Sequence, residues 1–250
     1  RKNSCAQCKM PESPGDSATL GAAKMSGIEL TQKEIIRTLC VIGDRDFLFA
    51  RKYLEDAGFD LRNNGVEARA WCLSKAEAGD AGAQFAMAKL YLVGLWGEAS
   101  RREALRWCQK AEASDFLPAK RMLSSFYEEG IADLEIDLER AKFLRQEAAD
   151  RGDVGAMRSI ATDLLLGIHG QKDRVLALHW LRLAAETDDA DSQCFLANEL
   201  FKNGDPESNV EGMKWIMAAA EQNYPAAHFH IGHYYWQGSN KFPVDRLKAA

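Results

Sequence analysis

The sequence predicts an all-α fold, a solenoid of helical hairpins stacked one on the next. Three observations carry that expectation. The stretch "ALRWCQKAEASDF" from Ala104 and the stretch "ALHWLRLAAETDD" from Ala177 place small, aromatic and acidic residues in the same order. Only six prolines occur, and no Val/Ile/Thr alternation is sustained, so helix dominates. Gly, Asp and Asn recur at fixed intervals, where helices have to stop.

In chain order, residues 1–26 are rich in Ser, Pro, Gly and Ala and lack periodicity, so they read as an extended N-terminal arm. Residues 27–60 read as a capping helix pair. Thr31 and Glu34 have capping-box spacing, and Phe47, Ala50, Tyr53, Leu54 and Ala57 share one helical face before Gly58 ends it. Residues 61–244 hold five hairpins, anchored at Trp71, Trp107, Leu144, Trp180 and Trp215 with spacings of 36, 37, 36 and 35. The four tryptophans are expected in the core, where truncating one would cost about 3–5 kcal/mol.

Each anchor predicts its own hairpin. Seven residues earlier stands a helix starter: Asn64, Ser100, Asp137, Asp173 or Ser208. Three residues earlier the chain is small: Ala68, Ala104, Ala141, Ala177 or Gly212. Eight residues later come Gly79, Asp115, Gly152, Asp188 and Asn223, types that tolerate a left-handed backbone at a helix end. The second helix then runs from offset twelve (Ala83, Ala119, Ala156, Ser192, Ala227) to offset twenty-three (Gly94, Gly130, Gly167, Asn203, Gly238). Offsets 12, 16, 17 and 20 fall on one arc of it and predict a buried stripe. Residues 245–250 look like the start of a sixth copy, with Asp245 and Ala249 in place. An open last copy would expose its apolar face, so more chain or a partner is expected to follow; Arg1 without an initiating Met likewise reads as a fragment or processed product.

These residues resemble the Sel-one-like repeat family, a relative of the tetratricopeptide repeats. Its pattern is approximately A-x-x-W-L-x-x-A-A-x-x-G-D-x-x-A-x-x-x-L-G-x-x-Y-x-x-G, and "ALHWLRLAAETDDADSQCFLANEL" and "FLRQEAADRGDVGAMRSI" follow it closely. The resemblance implies a right-handed α/α superhelix whose concave face is lined by the second helices. Offsets 14, 18, 21 and 22 face that way. The partner-binding residues expected there are Phe85, Lys89, Arg121, Glu128, Arg158, Asn198, Phe201, Phe229, His233 and Trp236, among neighbours such as Cys194. Aromatic and Arg side chains of this kind dominate protein interfaces.

The resemblance further implies a non-enzymatic protein-binding adaptor. One concrete version is an immunity protein that neutralises a secreted toxic effector such as a lipase. Two alternatives stand beside it: an envelope scaffold or polysaccharide-assembly module, and a Cys-dependent metal or redox protein.

Chemistry-bearing motifs are few. Cys5 and Cys8 form a C-x-x-C that lacks a second pair for zinc, with only Cys40 following nearby. In an oxidising compartment Cys40 with Cys5 or Cys8 is the pair to test. Cys72 and Cys108 occupy equivalent sites about 8–10 Å apart, too far for a disulfide. His228, His230 and His233 do not converge on a helix, and neither G-x-S-x-G nor a phosphate loop occurs. Catalytic, cofactor and metal residues are therefore expected to be absent. Net charge is −5 without a basic cluster, which argues against nucleic acid. No apolar run approaches the roughly 18–20 residues of a membrane span. Six cysteines leave the compartment open, with periplasm or secretion slightly favoured over cytoplasm.

Overall fold

Every regular element in the structure, a computed structural model describing residues 45–60, 65–95 and 99–237, is helical. Outside the described residues lie the arm at 1–26, the Thr31–Glu34 box, Cys5, Cys8, Cys40, Asn64, Gly238 and the sixth copy at Asp245 and Ala249. Eleven α-helices and one 3₁₀ turn are described, and no strand occurs among these residues. The chain divides into two units, residues 1–137 and 138–250.

The first unit contains α1 (Arg45–Asp56), α2 (Gly65–Glu77), α3 (Ala81–Val93), α4 (Arg101–Ala113) and α5 (Leu117–Glu129). Asp80 starts α3 by accepting the Ala83 amide at 2.7 Å, and the Tyr53 hydroxyl of α1 donates to the same carboxylate at 2.7 Å. Ser100 caps α4 through the Glu103 amide, as the spacing predicts. Gly79 and Asp115 stop the two first helices, α2 and α4, with φ of 97° and 61°. Helix α3 packs against α1, α2 and α4 at once, which is why nine of its thirteen residues are buried.

The second unit contains α6 (Leu138–Asp150), α7 (Val154–Leu166), α8 (Arg174–Glu186), α9 (Ala190–Phe201), α10 (Pro206–Glu221) and α11 (Pro225–Gln237). Asp153, Asp173 and Asp189 cap α7, α8 and α9 through amides three residues on. Gly152, Asp188 and Asn223 are left-handed where predicted. Helix α7 packs on both α6 and α8, and α9 on both α8 and α10. The second helix of one hairpin is thus the seat of the next first helix, which is the stacking the repeat implies. The bidentate Arg182–Glu211 pair, at 2.8 and 2.9 Å, ties α8 to α10 directly.

Three expectations need correction. The cap of α10 is Asp205, three residues before Ser208, because Asp205 accepts the Ser208 amide at 2.8 Å and Pro206 pre-sets the first turn. The left-handed stop after α9 falls on Gly204 (φ 74°) rather than Asn203, since glycine next door adopts it without strain. Trp107 and Leu144 are buried, but Trp71, Trp180 and Trp215 are only half-buried. The innermost position is the residue after the anchor: Cys72, Cys108, Arg145, Leu181 and Ile216. The anchor indole lies across the edge of the hairpin, with Lys110 over Trp107 at 4.0 Å and Lys214 over Trp215 at 5.6 Å.

Arg145 stands out in that series. Four copies put an apolar side chain there, while Arg145 is 6% exposed and bonds Asp163 of α7. Asp163 occupies the place of Leu90 and Phe126 in the first two copies, so an ion pair replaces an apolar pair.

Comparison between copies also exposes a defect. Gln84 and Gln193 hold equivalent positions, and each donates to the end of its first helix, at the Ala76 and Ala185 carbonyls. Gln193 Oε1 accepts from Gln222 at 3.0 Å, whereas Gln84 Oε1 is buried without a partner among the described residues. The place of Gln222 is taken in that copy by Ser114, which is too short.

Two outcomes follow. Ser114→Gln raises unfolding free energy by about 1 kcal/mol, read as a higher denaturant midpoint at constant m-value. Arg145→Leu alone costs about 3 kcal/mol by taking the guanidinium from the Asp163 carboxylate, and adding Asp163→Leu recovers most of it; an additive double-mutant cycle would refute the pairing.

Candidate surface for partner binding

Second helices α7, α9 and α11 carry a connected set of polar groups in the second unit. Arg158 of α7 donates to Asp189 at 2.9 Å and also to Asp191, reaching the N-terminal turn of α9. The Tyr224 hydroxyl donates to Asp191 at 2.8 Å from just ahead of α11. Further along, Tyr234 of α11 donates to Asn198 Oδ1 of α9 at 2.7 Å, and Asn198 Nδ2 lies 3.3 Å from His230 Nε2. With its Oδ1 accepting from Tyr234, Asn198 turns its NH₂ toward the imidazole. His230 must then offer a lone pair at Nε2 and keep its proton on Nδ1. Burial, and then the neighbouring His233, hold the His230 pKa below the usual histidine value, which suits this acceptor role.

The ten residues expected at the partner face separate into three groups. Phe85, Lys89 and Phe201 are interior, a correction to their assignment as surface. Phe85 packs against Phe49 and Phe116 with centroids 4.9 and 5.4 Å away, and Lys89 lies over its ring at 5.0 Å. Phe201 meets Tyr234 edge-on at 4.8 Å and presses on Gly212, where a Cβ would come within 2.8 Å of the ring. The cause is the double packing of second helices, which buries a wider arc than the single predicted stripe. Arg121, Glu128, Arg158 and Asn198 are half-buried, and the last two are engaged in the bonds just described. Phe229, His233 and Trp236 on α11 are exposed, Phe229 at 56% and Trp236 at 59%. They stand at i, i+4 and i+7, with Phe229 and His233 stacked at 6.4 Å and nearly parallel.

Cys194, His230 and Asn198 are neighbours, which invites comparison with a thiol catalyst. The thiol is buried, pushed up to about 11 by that burial and by Asp191, and its contact is Asn198 at 3.9 Å. A neutral thiol in this setting is a poor nucleophile. Cys72 is pushed up to about 12 for the same reason, burial first and then Asp80. In the first unit a groove of about 580 Å³ opens beside Ser100, Arg101, Glu129 and the Ile131–Asp133 turn, and the Arg102–Asp133 pair at 2.6 Å lies across it. No nucleophile with an adjacent base lines it.

Sequence reasoning reached Asn198 but missed His230 and Tyr234 as its partners. The signal available was the repeat period: 198 to 234 is one copy plus one residue, the offset that brings adjacent second helices side by side.

Such a molecule belongs to the class of stacked helical-hairpin repeat proteins. The Sel1 repeat model matches residues 81–115, 117–153, 156–189, 190–224 and 225–250, so the chain belongs to the Sel1 repeat family. The first four of those segments start on a second helix and end on the following first helix, one helix later in phase than the hairpins read over 61–244. The fold is shared with a Sel1 repeat protein from Oxalobacter formigenes, at 22% identity and a TM-score of 0.67, covering 94% of this chain and 96% of that one. A second similar structure is c5321, described as a protective antigen of uropathogenic Escherichia coli with an SLR fold. It has 20% identity and a TM-score of 0.47, covering 93% of this chain and 58% of that one. No curated protein matches the chain significantly. The Sel1 repeat fold is generally a protein–protein interaction scaffold, and its members are typically non-enzymatic adaptors. No described helix is long and apolar enough to cross a membrane.

The pKa directions give two expected outcomes. Native Cys194 resists alkylation in mildly alkaline buffer and becomes reactive on unfolding; fast native labelling would contradict its burial. His230 has a folded pKa below its unfolded value, so its contribution to stability is complete above about pH 6.5 and is lost as pH falls below that. Thermal melts should show this decline, and His230→Gln should flatten it.

Proposed function

We propose that this chain is a protein-binding adaptor whose partner docks on the second-helix surface of residues 138–237. The observation that carries the reading is the exposed strip of Phe229, His233 and Trp236. Equivalent positions one copy earlier, at Cys194, Asn198 and Phe201, are buried or bonded within the stack. Large, mostly exposed aromatic side chains at that register are what an interface anchor requires. Arg121 and Glu128 remain assigned to the partner face of the first unit on their half-exposure.

The narrower version rests on the family resemblance alone. In it the partner is a secreted toxic effector such as a lipase, and this chain neutralises it as an immunity protein in a tight one-to-one complex. A scaffold in the envelope or in polysaccharide assembly would instead gather several partners weakly. Light scattering of the purified complex separates these versions by stoichiometry.

The test of the binding surface is a comparative pull-down. Phe229→Ala with Trp236→Ala removes captured proteins by at least about tenfold in affinity, the loss of one strong anchor. Val175→Ser, on the exposed flank of α8, leaves capture unchanged. Equal capture by all three proteins would remove the aromatic strip from consideration.

A further inference from the structure

The junction between α9 and α10 departs from every other junction of its kind. Its second helix has twelve residues where the other second helices of the repeat have thirteen, its left-handed stop is displaced from Asn203 to Gly204, and the following helix begins early at Pro206. The displacement leaves an Asn–Gly pair, exposed, in a four-residue link. Gly204 has open space around the position of a Cβ, and its amide makes no hydrogen bond among the described residues. The side-chain amide of Asn203 is held at both ends: Arg174 Nε donates to Oδ1 at 3.1 Å, and Nδ2 donates to Ser208 Oγ at 3.0 Å.

We infer that Asn203 is a site of spontaneous deamidation, in which the Gly204 backbone nitrogen displaces the side-chain amide and water completes the conversion to aspartate or isoaspartate. The Gly204 nitrogen gives its proton to solvent base and bonds to Asn203 Cγ. Charge builds on Oδ1, where the Arg174 guanidinium already donates. The Cγ–Nδ2 bond then breaks, and the nitrogen takes a proton and leaves as ammonia. Water opens the resulting succinimide at either carbonyl, so one water is consumed and one ammonia released, with no change of oxidation state.

Glycine makes this attack feasible because no Cβ crowds the nitrogen. The site also accommodates the product's charge. Arg174 and Lys202 both pair with the single carboxylate of Glu199, so two cations face one anion. A carboxylate at 203 supplies the second anion. The isoaspartate form has a further effect, because it lengthens the main chain by one carbon between α9 and α10, two residues after Phe201 seats on Gly212.

The experiment holds the intact folded chain in mildly alkaline buffer at physiological temperature and follows the 200–207 peptide released by cleavage after Glu199 and Glu207. Aspartate and isoaspartate at 203 are expected to accumulate, and Gly204→Ala should slow this by about tenfold. Arg174→Gln should slow it by about threefold through loss of the polarising donor. Arg174→Lys, which keeps the charge facing Glu199 but lacks the Nε donor, provides the same test if the glutamine variant folds poorly. Retention of the Asn203 amide in the folded chain, over a period in which the urea-unfolded chain converts, overturns the proposal. Conversion as fast or faster in both Arg174 variants overturns the part given to the guanidinium. Site-resolved peptides keep Asn203 apart from Asn64, which also precedes a glycine.

Discussion

The second helices α3, α7 and α9 each serve two first helices, their own and the one that follows, and much of this protein's sequence answers to that demand. A helix gripped from both sides cannot keep the usual single apolar stripe with a wet opposite face. In α3 even Gln84 and Lys89 are interior, each held by a specific contact. Small residues make the close approach possible. Ala68, Ala104, Ala141, Ala177 and Gly212 lie buried on the first helices, and at Gly212 the Phe201 ring fills the space a methyl group would need. Each hairpin alone buries too little, so the copies hold one another up.

The same demand explains where accessible aromatic surface appears. Within the second unit the inward-leaning positions of α9 are consumed by α10 and α11, through Phe201 on Gly212 and Asn198 with Tyr234 and His230. At the equivalent positions α11 carries Phe229, His233 and Trp236, all three exposed. Identical offsets give interior in one copy and exterior in the next.

The fold was legible because its punctuation is stereochemical. Left-handed φ at Gly79, Asp115, Gly152, Asp188 and Asn223 restricts those sites to a few residue types, and a restricted site repeats visibly. Caps at Ser100 and Asp173 were readable for a similar reason. At Ser208 two caps competed within four residues, and Asp205 followed by Pro206 prevailed through the rigid ring at the first helical turn. The partner face was only partly legible. Angular arithmetic on one helix locates the side chains but is blind to a second neighbour, so Phe85 and Phe201 were read as outward although they are interior. The bond from Arg158 to Asp189 was legible at one end only: Asp recurs at that register as Asp80, Asp153 and Asp189 and reads as a helix cap, while the Arg158 position varies among Phe85, Arg121, Cys194 and Phe229.

Near-identical bricks bring a hazard: during folding one copy can settle against the wrong neighbour, since every seat is shaped alike. The buried guanidinium of Arg145 breaks that degeneracy. Its carboxylate, Asp163, sits in its own hairpin, while the corresponding seats at Leu90 and Phe126 offer hydrocarbon. A slipped register that paired Arg145 with either would strand a full charge in oil, a penalty of several kcal/mol. The third copy thus works like a keyed tooth beside the plain ones of the first two, while the fourth copy's seat, Glu199, is already held by Arg174.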